Sequence, residues 1–197
     1  MRTLQVVAPF KCHTSTWQAR FALCSKSVQV SKDKHCVLPD QSIYFVPIRD
    51  EKSIYVSAFF EDLECPSYPY GMESTKARSL TVDELLSHFL KFDFSKMEHV
   101  NYKYVFANQP DILEHIVHVM NSRDAFRVIS RPDQTTWILF KTEYTNDEYV
   151  VGRMLQVLGI ECDLKMFVEE VSRLSKHRWY AGVMTRLIQI MPAEYWT

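Results

Sequence analysis

The chain has 197 residues, 47% of them hydrophobic and 24% charged, with a formal net charge of −1. Such values describe a globular protein with enough apolar material for a core, and they argue against a disordered chain or a strongly basic nucleic-acid clamp. Only 4 glycines are present, far below the average usage of about 7%, which disfavours a fold built on glycine-rich phosphate loops.

No apolar run reaches the roughly 18 residues a membrane-spanning helix needs. The first ten residues are too short and too strand-like for a secretory leader. Five cysteines without a leader imply reduced thiols, so the expected compartment is the cytoplasm.

In chain order, residues 4–7 read as a strand ending at Pro9. Residues 17–23 alternate, with Trp17, Ala19, Phe21 and Leu23 on one face, and residues 27–30 continue or pair with them. Residues 42–48 and 53–60 flank the polar connection 49–52 and read as a hairpin. Pro47 cannot donate to a ladder, so the first arm is expected at an edge or a bulge. Residues 62–76 hold two prolines and Gly71 and read as a loop. Thr81 and Glu84 form a capping box that opens a helix with Leu85, Leu86, Phe89 and Leu90 in line.

Residues 100–106 are aromatic and β-branched and read as a strand. A helix follows, with Asn108 as its expected N-cap, Pro110 in its first turn, and Ile112, Leu113, Ile116, Val117, Val119 and Met120 on its apolar side. Strands are expected over 125–129 and 135–141, joined by the turn 130–134. Thr145 and Glu148 suggest a second capping box, opening a helix that stops at Gly159, with residues 160–162 as a short last strand. Asp163 is expected to cap a helix carrying Leu164, Phe167, Val168, Val171 and Leu174, and a further apolar stripe runs from Tyr180 to Met191.

The expected architecture is therefore α+β. An antiparallel β-rich N-terminal half (1–76) and a linking helix (77–99) precede a ferredoxin-like split βαβ unit (100–162), with a C-terminal helical pair at 163–197. The parts could share one core.

Several residue groups could carry chemistry. Cys12, Cys24, His35 and Cys36 offer the thiolate and imidazole ligands of a structural zinc, but the short Cys-x-x-Cys knuckle is missing, so no cofactor is expected. His115 and His118, with Glu114 and Asp111, share a polar helix face that reads best as solvated surface. Cys12 beside His13 is a poor dyad, because neighbours on a strand point to opposite faces. Tyr102, Tyr104, Arg127, Arg131, Trp137 and Lys141 would supply the aromatic and basic surface of a sheet that binds RNA or single strands, without any matching consensus pattern. Tyr68, Tyr70, Tyr195 and Trp196 are aromatic anchors of the kind found at protein interfaces.

Near-neutral charge favours a protein partner over nucleic acid. The leading expectation is a small, non-enzymatic accessory or regulatory protein, of viral or phage type, that binds another protein. Single-stranded nucleic-acid binding through the central sheet comes second. A hydrolase-type enzyme with a histidine and a carboxylate comes third.

Overall fold

Five strands form one mixed sheet in the order β2-β1-β3-β5-β4, where β1 is Arg2–Val6, β2 Val28–Val30, β3 Ile43–Ile48, β4 Phe126–Ser130 and β5 Thr136–Lys141. This computed structural model describes residues 2–9, 11–24, 26–67, 71–97, 100–168 and 181–190. The helices are α1 (Thr14–Ala22), α2 (Glu51–Leu63), α3 (Ser74–Ser79), α4 (Val82–Leu90), α5 (Tyr102–Val105), α6 (Pro110–Asn121) and α7 (Glu148–Leu158), then the helical residues 164–168 (α8) and α9 (Ala181–Ile190). The protein is thus mixed α+β. None of the described helices is long and apolar enough to cross a membrane.

The chain divides into two units, one of residues 1–49 with 102–176 and one of 50–101 with 177–197. All five strands lie in the first. There β1 runs parallel to both β2 and β3, β3 runs parallel to β5, and only β4 is antiparallel to its neighbour. Every residue of β3 is buried, as expected for a parallel strand covered on both faces.

This arrangement corrects the antiparallel expectation. The segment 53–60 is not a hairpin arm but part of α2, all of whose residues from Ile54 to Phe60 are buried. Residues 100–106 are not a strand either: Val100 is buried, as are Tyr102 and Phe106, one helical turn apart, while Tyr104 is exposed. Residues 17–23 belong largely to α1. Trp17, Arg20, Phe21 and Cys24 are buried at helical spacing, and that period outweighs the alternation of Trp17, Ala19, Phe21 and Leu23. The antiparallel split βαβ unit is accordingly replaced by a largely parallel sheet, and residues 160–162 are not a strand.

Other local signals hold. Thr81 and Glu84 form the capping box of α4, and Gly159 closes α7 in the left-handed region at φ 58°. Asp163 accepts from the Met166 amide at 3.0 Å. At α7 the cap is Asp147, which accepts from Val150 N at 3.0 Å, not Thr145. At α6 Gln109 stands at the N-cap in place of Asn108.

Pro47 sits in the central strand, against the expectation of an edge. In a parallel ladder alternate residues face alternate neighbours. Val7 N donates to Phe45 O at 2.9 Å and Thr136 N to Ser42 O at 3.0 Å, so odd positions of β3 face β1 and even ones face β5. Pro47 is odd, and β1 ends at Val6, so the missing amide loses no ladder bond. The Tyr102 hydroxyl takes the vacated place. It donates to Pro47 O at 2.9 Å, accepts from Arg49 N at 3.0 Å and lies 3.2 Å from Cys12 Sγ.

One sheet face carries the core of Leu4, Val6, Phe45, Ile138 and Phe140, packed against Trp17 and Phe21 of α1, Val151, Met154 and Leu158 of α7, and Phe167 of α8. Arg20 is fully buried at its side. Its guanidinium donates to Thr145 O (2.7 Å), Val168 O (3.0 Å) and Asn146 Oδ1 (3.3 Å) and lies over the rings of Trp17 and Phe167. Burial lowers its pKa to about 10, which still leaves it cationic at neutral pH.

In the second unit α2 packs with α9. Phe59 meets Phe60, Phe89 and Phe92 with ring centroids 5.1–5.2 Å apart. Gly71 is required there: a Cβ would stand 1.7 Å from the Cys65 carbonyl oxygen.

The hydroxyl that closes the end of β3 can be removed alone. Tyr102→Phe strands the buried Pro47 carbonyl and the Arg49 amide, and is expected to cost about 1–3 kcal/mol. Urea denaturation will show a lower midpoint with an unchanged slope; an unchanged midpoint would mean that the hydroxyl bonds contribute nothing.

Candidate functional site

In open sheets with parallel strands, ligands usually sit outside the carboxyl ends of the strands, where the chain's winding reverses. That point here lies between β1 and β3, because β1 has β2 on one side and β3 on the other. Beside β3 it is occupied by the buried Tyr102 side chain. Arg49 Nη1 adds a bond to Lys11 O at 2.8 Å, in a loop where Lys11 and His13 both have positive φ.

The open concavity lies at the opposite ends of the strands. A cleft of about 800 Å³ is lined by Arg2, loop residues 37–42, Tyr44, Gln109, Arg131, residues 133–135 and Trp137. It therefore sits at the amino ends of β1, β3 and β5.

Sequence and packing explain its shape. Tyr44 and Trp137 are register partners in β3 and β5, so their side chains share a face. Their rings stack at 4.2 Å with planes 15° apart. The Arg131 guanidinium lies 5.2 Å from the Trp137 ring centroid. It is steered there by Gln109 Oε1 at 3.0 Å and by an ion pair with Asp111 in the first turn of α6.

The loop wall is held by buried Gln5, whose amide donates to Cys36 O (2.8 Å) and accepts from Leu38 N (3.0 Å). Tyr44 Oη donates to Leu38 O at 2.7 Å, and Ser42 N donates to Thr3 Oγ1 at 3.0 Å. Opposite, Asp133 closes the β4–β5 turn by accepting from Thr135 N and Oγ1 at 3.0 and 2.7 Å. Asp40 and Gln134 adopt positive φ on the two sides.

Charge in the cleft balances: Arg2 and Arg131 stand against Asp40 and Asp133. The Trp137 indole N–H is buried and has no acceptor. Burial raises the pKa of the Tyr44 hydroxyl, keeping it neutral as a donor. Partial burial works against the Asp111 carboxylate, but the hydrogen bond and charge of Arg131 outweigh it and hold its pKa below the ordinary 3.8.

Of the residues expected to bind single strands, Arg131 and Trp137 meet in this cleft. The others are elsewhere. Tyr102 is buried at the far end of β3, Tyr104 is exposed on α5, and Arg127 is on the edge strand β4. Lys141 donates to Ser122 O at 2.6 Å. Tyr68, Tyr70, Tyr195 and Trp196 lie outside the described residues.

The zinc candidates do not converge. Cys12 precedes α1 and Cys24 follows it, His35 Nδ1 donates to Ala8 O at 2.9 Å, and Cys36 is exposed. Among the described residues, no three His, Cys, Asp or Glu side chains are grouped to hold a metal. Glu114 and His118 are exposed on α6.

The sequence reading missed Gln5, Gln109, Tyr44 and loop 37–42. Pro39 and Asp40 carried a turn signal, but nothing local tied that turn to Gln5, a bond spanning 33 positions. No protein-family model, curated protein or solved structure matches this chain.

The Asp111–Arg131 pair sets a pH dependence with a definite sign. A depressed folded-state pKa means that the pair's contribution is full above about pH 3.8 and is lost as pH falls below it. The Nε1–H resonance of Trp137, lying under Arg131, is expected to shift as pH falls below the ordinary aspartate value of 3.8. Asp111→Asn should remove that step; a step of equal size in the variant would assign it to another carboxylate.

Proposed function

We propose that the chain acts by binding another protein, receiving a short extended segment of its partner in the cleft between loop 37–42 and the β4–β5 turn. The observation that carries this reading is the balanced, mixed polarity of the cleft over an aromatic floor. A peptide backbone offers both donors and acceptors, and so do these walls. Arg2, Gln41 and Gln134 can donate, and Asp40 and Asp133 can accept.

A phosphodiester would call for a net positive groove, and the two acids offset the two arginines. This balance favours protein over nucleic acid, in line with the near-neutral chain. The cleft lining contains neither histidine nor cysteine, which gives little support to a histidine-based hydrolase at this place.

The test is capture from nuclease-treated and untreated lysates, comparing the wild-type chain with Gln41→Arg. The variant adds bulk and positive charge to the cleft wall. It should reduce the yield of a nuclease-resistant protein partner by about tenfold or more, equivalent to about 1.4 kcal/mol. Nucleic acid that co-purifies, increases in Gln41→Arg and is stripped by salt would overturn the proposal. So would a protein partner captured equally well by both chains.

A further inference from the structure

Two cysteines that do not line the cleft follow the carboxyl ends of α1 and α7. Cys24 follows α1 and is 1% exposed. Cys162 follows α7, is partly exposed, and packs against the cluster that contains Cys24. Cys24 Sγ donates to Arg20 O at 3.8 Å, and Cys162 is the thiol that neighbours it from the α7 side. The segments carrying them are stitched together by Ser27, whose hydroxyl donates to Glu161 O at 3.4 Å and accepts from Glu161 N at 3.3 Å. Cys24 O accepts from Ser27 N at 2.8 Å, so the stitch begins at Cys24 itself. Both sulfurs are free thiols.

We propose that Cys24 and Cys162 form an oxidation site, a dithiol that closes to a disulfide when the protein meets a hydroperoxide. The accessibilities assign the roles. Cys162, reachable from solvent, attacks one peroxide oxygen as its thiolate. The O–O bond breaks, and sulfenic acid and water are produced once the leaving oxygen takes up the thiol proton. The Cys24 sulfur then attacks the Cys162 sulfur, the S–O bond breaks, and the departing hydroxide takes the Cys24 proton as a second water. Overall, two thiols and hydrogen peroxide give one disulfide and two waters, the two electrons passing from sulfur to oxygen.

Burial, reinforced by the Cys162 thiol, pushes the Cys24 thiol above its ordinary range. It therefore stays protonated and protected from direct oxidation until the sulfenic acid forms beside it. The disulfide would join the ends of α1 and α7, already adjacent through Ser27 and Glu161.

The experiment treats the full chain with hydrogen peroxide, unfolds it in alkylating agent, and maps the peptides by mass spectrometry. The expected product joins the Cys24 and Cys162 peptides with the loss of two hydrogens, and dithiothreitol reverses it. The Cys36→Ser/Cys65→Ser variant, which removes the other partly or fully exposed thiols, should keep the cross-link. In Cys162→Ser, Cys24 should remain fully alkylatable after the same treatment. The proposal is overturned if the wild-type peptides of Cys24 and Cys162 are both recovered alkylated, if either joins Cys36 or Cys65 instead, or if Cys162 stops at a sulfinic acid.

Discussion

The parallel pairing of β3 between β1 and β5 is the constraint on which the first unit depends. A strand hydrogen-bonded on both sides and buried on both faces requires side chains from helices above and below it. Here α1, α7 and α8 cover one face with Trp17, Phe21, Met154, Leu158 and Phe167. On the other, Phe106 meets Trp137 at 6.3 Å, and α6 lies along β5 with Ile112, Ile116 and Val119 buried. The same pairing aligns Tyr44 with Trp137, which makes the stacked floor of the cleft.

Buried polar side chains then decide which strand ends remain open. Tyr102 satisfies the backbone beyond β1 and occupies the place where such sheets commonly hold ligands. Gln5 holds loop 37–42 upright at the opposite end. Arg20 bonds Thr145, Asn146 and Val168, so the turn before α7 and the helical residues 164–168 are fixed to α1 by one cation. In a low-dielectric interior each such group must be partnered, and each therefore fixes a loop in one place. What these constraints leave open is the cleft.

Some of this was legible in the residues alone. Capping chemistry is local, and Thr81, Glu84, Asp163 and Gly159 signalled their helix ends correctly. The segments 42–48, 125–129 and 135–141 were readable as strands from β-branched and aromatic content. Partner and direction were not readable, because continuous apolar runs such as those of β3 and α2 have no period to separate a buried strand from a buried helix. Alternation misled at Trp17–Leu23, where a helix buried on one side happens to place apolar residues two apart as well. Arg131 and Trp137 were singled out for their chemistry and do meet. Their setting came from Gln109 and Asp111, which only the packing of α6 on β5 brings near.

The central claim is that a protein segment enters the cleft formed over Tyr44 and Trp137. The most direct measurement places a benzophenone amino acid at Gln134, on the cleft wall, and at the exposed position Lys103 on α5, and irradiates each protein in lysate. The account predicts a single protein adduct from Gln134, with cross-linked fragments of one extended segment, and none from Lys103. An adduct with nucleic acid, or equal labelling from both positions, would contradict it.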